Sequence, residues 1–237
     1  MDIILTTNCN KKCEGCCYLF NKYQTGEFFD ANRIIANMEK VKPAIEKYGY
    51  LSIIGGETFL YPDLVKIIEY VNTLQIERCV LFTNGTILPN YLEEMCQTMD
   101  GRYHIVIGNY GIPSVINQLA NAFTQYNISW VVRPDDAEWV EHGDFIDHNE
   151  PKIEFCRFRF LTLMEERLYA CGRFAQAVKL NLIPIEDLKE NEYVDLDDPQ
   201  LFEKIDIMME ESFYTFSETC KYCLRASAKG TVIPQGE

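Results

Sequence analysis

Over the first 155 residues, short apolar runs alternate with longer stretches in which apolar residues return every three or four positions. The short runs, at 3–6, 51–54, 80–83, 104–107 and 129–132 with a sixth near 152–155, predict strands. The longer stretches carry the stripes Ile34, Ile35, Met38 and Val41; Leu64, Ile67, Ile68 and Val71; Leu92, Met95, Cys96 and Met99; and Val115, Ile116, Leu119 and Phe123. Each stripe lies on one side of a helix, as crossover helices packed on a sheet require. Strand and helix in this alternation predict an α/β fold with a parallel sheet. Beyond residue 155 the pattern changes: 162–164 and 168–170 flank Glu165-Glu166-Arg167 and predict a hairpin, and 201–209 predicts a helix.

Composition narrows the function. A chain of 237 residues with 47% apolar content can fill a sizeable core. Its formal charge of −14 repels nucleic acid and anionic membrane, which excludes both as expected partners. No stretch approaches a membrane span in length, and no basic segment precedes an apolar one at the N-terminus, so a cytoplasmic setting is expected. In a reducing compartment ten cysteines point to metal binding rather than to disulfides. His104, His142 and His148 have no ligand spacing, and no Ser/His/Asp arrangement stands out.

Directly after the first predicted strand stands Cys9-Asn10-Lys11-Lys12-Cys13-Glu14-Gly15-Cys16, a CxxxCxxC motif. Three thiolates can hold three irons of a four-iron cluster and leave the fourth iron open to an outside ligand. Gly55-Gly56-Glu57 follows the second predicted strand. A zinc knuckle and an ordinary turn are the competing readings, although zinc sites favour paired CxxC spacings and four ligands.

CxxxCxxC after the first strand and GGE after the second resemble the radical S-adenosylmethionine (SAM) superfamily. The resemblance implies that Cys9, Cys13 and Cys16 hold a 4Fe-4S cluster whose open iron is chelated by SAM. It also implies that Gly55 and Gly56 admit the methionine moiety and that Glu57 accepts from its ammonium. Here Gly15 stands before the third cysteine where an aromatic residue is usual, and Thr58 follows the GGE where proline is common. Five or six strand–helix units are too few to close an eight-stranded barrel, which agrees with the family's partial (β/α)6 TIM barrel. Thr83-Asn84-Gly85 is similar to the family's third-strand ending, which makes Thr83 a candidate at the cofactor, although this tripeptide is also a plain turn. Asn109 and Arg133, after the fourth and fifth strands, are candidates for the SAM ribose and carboxylate, or else loop and surface residues.

A second cysteine set, Cys156, Cys171, Cys220 and Cys223, accompanies the hairpin and helix. This layout resembles the Twitch appendage, a trimmed relative of the SPASM domain, and implies a second 4Fe-4S cluster with all irons held by protein. The alternative is a structural zinc site with four cysteines. The expected division is therefore a barrel at 1–150 and a Twitch-like domain at 151–237. Cys79 and Cys96 are expected to be inert buried thiols. Cys17 is either a loop-packing thiol or a catalytic hydrogen-atom donor.

The layout looks similar to that of 2-deoxy-scyllo-inosamine dehydrogenase. It implies hydrogen abstraction from a small polar substrate (a sugar, cyclitol or amino-sugar), with two-electron oxidation of an alcohol and the auxiliary cluster as electron acceptor. An external one-electron reductant of flavodoxin or ferredoxin type is implied. An epimerase using a cysteine donor and a peptide-modifying maturase remain open. The maturase is less expected because the chain starts on its first barrel strand. A non-catalytic iron–sulfur or zinc module is the alternative of another class.

Overall fold

The computed structural model describes residues 1–110, 112–133, 139–140, 160–189, 191–212, 218–223 and 232–233. The expected strand near 152–155 and Cys156 lie outside these residues. The chain divides into two compact units, Met1–Asn10 with Thr25–Ala137, and Lys11–Gln24 with Glu138–Glu237.

The first unit runs β1 (Asp2–Ile4), α1 (Ala31–Tyr48), β2 (Tyr50–Ile54), α2 (Leu64–Asn72), β3 (Arg78–Thr83), α3 (Leu92–Thr98), β4 (Tyr103–Ile107), α4 (Pro113–Gln125) and β5 (Ser129–Val132). Its strands pair in parallel in the order β5-β4-β3-β2-β1, with Ile3 opposite Ile53, Leu51 opposite Cys79 and Leu81 opposite Ile105. This open parallel sheet with crossover helices is the expected α/β partial barrel. The stripes do the packing: Ile34, Met38 and Val41, all of the α2 set, Met95, Cys96 and Met99, and Ile116, Leu119 and Phe123 are buried. Ile35, Leu92 and Val115 are half-buried at the stripe edges.

Burial along β3 and β4 alternates strictly, because the helices cover one face of the sheet only. Cys79, Leu81, Tyr103 and Ile105 sit under the helices, while Val80, Phe82, His104 and Val106 keep partial exposure on the other face. Helix α1 begins where the Asp30 carboxylate accepts from the Arg33 N–H at 2.9 Å, and it ends at Gly49, whose φ of 67° suits glycine. That stop delivers the chain straight into β2.

The second unit contains β6 (Trp139–Val140), β7 (Thr162–Met164), β8 (Arg167–Tyr169), α5 (Gly172–Lys179), β9 (Tyr193–Asp195), α6 (Leu201–Ser212) and β10 (Val232–Ile233). β7, β8 and β9 form an antiparallel ladder, and β6 pairs with β10. The hairpin is where the sequence places it, but its turn is tighter. Met164 pairs with Arg167, leaving a two-residue turn that Glu165 opens at a φ of 53°. Arg167 is therefore a strand residue, and its guanidinium reaches Asp195 on β9 at 2.6 Å. Neither α5 nor β9 was expected from the sequence, while α6 extends the helix expected at 201–209.

Phe123 is fully buried on α4, so Phe123→Ala should cost about 3–5 kcal/mol, the usual range for emptying an aromatic site. Chemical denaturation should show this as a lowered midpoint, whereas Leu182→Ala, 44% exposed, should leave the midpoint nearly unchanged.

Candidate active site

At the C-terminal ends of the first unit's strands, the loops after β1, β2 and β3 are fastened to one another. The N–H of Gly56 donates to the Thr6 carbonyl at 2.9 Å and that of Glu57 to the Asn8 carbonyl at 2.7 Å. Both glycines of the GGE are required by this contact. A Cβ on Gly55 would stand 2.8 Å from the Thr6 methyl, and one on Gly56 would strike the Asn8 carbonyl and lie 2.9 Å from the Cys9 Cβ. The close approach that calls for glycine is thus made by the segment carrying the first cysteine.

Glu57 is only 1% exposed. One carboxylate oxygen accepts from the Phe59 N–H at 2.9 Å and the Thr83 hydroxyl at 2.7 Å; the other accepts from the Asn84 N–H at 2.6 Å. Burial nevertheless raises its pKa above the ordinary value, against the lowering by the Thr83, Asn84 and Phe59 donors. An ionised carboxylate offers about four acceptor positions, so these donors leave one for an ammonium. The residues present fit the amino group of SAM.

Asn84 was passed over as part of a turn, yet it is the hub between Glu57 and Cys9. Its backbone serves the Glu57 carboxylate, while its side-chain amide lies 4.0 Å from the Cys9 sulfur and donates to Asn10 at 2.8 Å. Its carbonyl oxygen takes the Thr86 N–H at 3.0 Å, which fixes the amide's orientation. The signal for it was the Thr83-Asn84-Gly85 tripeptide itself: Gly85 adopts a φ of 72° with Gly108 packed against it. Asn109 is half-buried after β4. Arg133 is exposed after β5, its N–H bonded to the Ile107 carbonyl and its guanidinium 5.7 Å from the Phe82 ring centre.

The second unit holds Cys13, Cys16 and Cys17 on the segment 11–24, together with Cys171, Cys220 and Cys223. The backbone N–H groups of Phe20, Tyr18 and Asn21 bond toward the Cys16 sulfur, in a turn that Leu19 completes at a φ of 60°. Burial still raises the Cys16 pKa, with Arg173 among the groups that oppose the rise. Sulfur surrounded by amide donors is the environment that tunes cluster thiolates. Cys171 is the N-cap of α5, and the Cys223 N–H closes on the Cys220 carbonyl at 3.1 Å. Arg173, 6% exposed, donates to the Cys17 carbonyl at 3.4 Å. Burial lowers its pKa, and Cys223, Cys17, Cys171 and Cys16 act in the opposite sense.

Among the described residues, no three His, Cys, Asp or Glu side chains converge as on a single metal ion. A cubane distributes its thiolates over separate irons and so spaces them more widely. Cys79 and Cys96 are buried in the first unit; burial pushes the Cys96 thiol up to about 11 and the Cys79 thiol higher, as for inert thiols. No helix among the described residues is long and apolar enough to cross a membrane.

Residues 3–107 match the Radical SAM superfamily model. A probable GTP 3',8-cyclase from Methanococcus maripaludis is 34% identical over 93 residues, which span 38% of this chain and 30% of that protein. The chain is similar in fold to the crystal structure of BtrN in complex with AdoMet and 2-DOIA, with a TM-score of 0.62 and 15% identity over 94% of this chain and 91% of that one. It is similar also to native anSMEcpe with bound AdoMet, with a TM-score of 0.56 and 12% identity over 97% and 88% of the two chains.

Because burial raises the Glu57 pKa, its contribution to stability is full below about 4.5 and is lost as pH rises through the folded value. Glu57→Gln carries no such charge. Thermal unfolding of SAM-free protein should therefore show the stability of Glu57→Gln gaining on wild type as pH rises above about 4.5. A constant difference would mean that folding does not raise the Glu57 pKa.

Proposed function

Because residues 3–107 are a radical SAM superfamily domain, we propose that this enzyme oxidises an alcohol of a small polar substrate, a sugar, cyclitol or amino-sugar, to a ketone. Cys9, Cys13 and Cys16 would hold the SAM-binding 4Fe-4S cluster, and Cys156, Cys171, Cys220 and Cys223 a second one. If bound, these groups would supply one-electron cleavage of SAM, hydrogen-atom abstraction from carbon and an acceptor for the second electron of the oxidation.

The observation that carries the SAM-binding part of this reading is the Glu57 carboxylate, buried and oriented by Thr83, Asn84 and Phe59 with one acceptor position left. A cation placed there gains a charge-assisted bond, typically about twice as strong as a neutral one. Gly55 and Gly56 bring the backbone of the β2 loop onto the segment that carries Cys9, so the SAM site and the first cluster ligand share one fastening. Thr83 holds the carboxylate in place. Asn109 and Arg133 follow β4 and β5 and are proposed for the ribose and carboxylate of SAM. The formal charge of −14 favours a neutral or cationic metabolite over a nucleic acid or a membrane surface. A flavodoxin- or ferredoxin-type donor in the cytoplasm would supply electrons.

Anaerobically reconstituted protein should carry about eight irons, as two four-iron clusters require. The Cys220→Ala/Cys223→Ala variant should still cleave SAM to 5′-deoxyadenosine with dithionite, since that step needs only the first cysteine set and Glu57. Its ketone yield should collapse. Normal ketone formation by this variant would defeat the electron-acceptor assignment, and Cys17→Ala would then test the hydrogen-donor role of Cys17.

A further inference from the structure

Arg173 has no part in the function proposed above, yet it is among the most deeply buried charged side chains described. Its place is set by two local facts. It lies two residues beyond Cys171, in the first turn of α5, and it donates to the carbonyl of Cys17, next to Cys16. Gly172 permits this approach, because a Cβ there would strike the Tyr18 ring on the same segment. The guanidinium is thereby fixed between Cys171 of one cysteine set and the segment that carries Cys16 of the other.

We propose that Arg173 is a positioning residue whose fixed positive charge, held between the Cys16–Cys17 segment and Cys171, raises the reduction potential of the iron–sulfur clusters proposed for Cys16 and Cys171. The proposal rests on the two-cluster reading above. Reduction adds an electron to a cluster, and a cation nearby in a low-dielectric interior stabilises the reduced form more than the oxidised one. Arginine suits the task because its guanidinium stays charged where a buried lysine can lose its proton. The N-terminal end of α5 adds a partial positive charge at Cys171. One side chain thus biases electron uptake at both sets.

The test is a redox titration, followed by electron paramagnetic resonance, of wild type, Arg173→Gln and Arg173→Lys after anaerobic reconstitution, with iron counted in each. At the wild-type midpoint, Arg173→Gln should show a reduced-to-oxidised ratio about tenfold lower in at least one cluster, a shift of about 59 mV for one electron. Arg173→Lys, which carries the charge when protonated, should recover most of it as pH is lowered. Wild-type midpoints in Arg173→Gln would overturn the proposal, as would an equal shift in both variants that does not shrink at lower pH, because shape rather than charge would then be acting. If Arg173→Gln fails to load iron while Arg173→Lys loads with the wild-type midpoint, the requirement for charge is upheld. Failure of both to load overturns it. Zinc, or only one cluster, in the wild type would instead defeat the two-cluster reading before either variant is measured.

Discussion

The candidate site of the first unit depends on one buried anion. The Glu57 carboxylate accepts from its own loop through Phe59 and from the end of β3 through Thr83 and Asn84, while its backbone N–H holds the Asn8 carbonyl after β1. Three strand ends are therefore registered by one residue. A hydroxyl or an amide at this position could satisfy some of these partners but would present no charge to a ligand. The cost of burying the carboxylate is visible in its raised pKa, and the donors around it offset only part of that cost. A binding site for a cation follows from the same arrangement that closes the loops.

This explains why the two glycines stand before Glu57. Sequence reasoning assigned them to the methionine of SAM, whereas the nearest atoms to their absent Cβ groups are those of Thr6, Asn8 and Cys9. The readings are compatible, since a backbone pressed against the Cys9 segment also lies beside whatever Cys9 binds. Yet the geometric demand for glycine is met within the protein alone. Asn84 extends the logic: its amide, fixed by Thr86, reaches the Cys9 sulfur while its backbone holds Glu57.

The parallel sheet was legible because apolar runs and one-sided stripes report burial directly, and burial is what period-2 and period-3.6 patterns encode. The strand ends were legible through CxxxCxxC, GGE and Thr83-Asn84-Gly85, each following an apolar run. The second unit was harder. Helix α5 is only eight residues long, and it buries Arg173 and Gln176 together with Gly172, Phe174, Ala175 and Ala177, so burial there does not follow the polar positions of the sequence. β9 has three residues inside an acidic stretch and only Val194 buried at its centre, too short for alternation to register. Arg167 was read into the turn because a run of charged residues looks like a loop, but a left-handed Glu165 shortens the turn and leaves Arg167 to meet Asp195 across the ladder.

Arg173 was invisible for a different reason: a lone arginine after a cysteine and a glycine carries no pattern, and its meaning comes from cysteines distant in sequence. The two units thus pose matching electrostatic problems of opposite sign. In the first, an anion is held by neutral donors and gains most from a cationic ligand. In the second, a guanidinium lies between the Cys16–Cys17 segment and Cys171, and cysteine sulfur carries full negative charge when it is ionised by a metal. A carboxylate or an arginine buried in this way is stabilised by the bound state more than by the empty fold. The interior charges of both units are therefore complementary to the cofactors proposed for them, which would link cofactor loading to the stability of the fold itself.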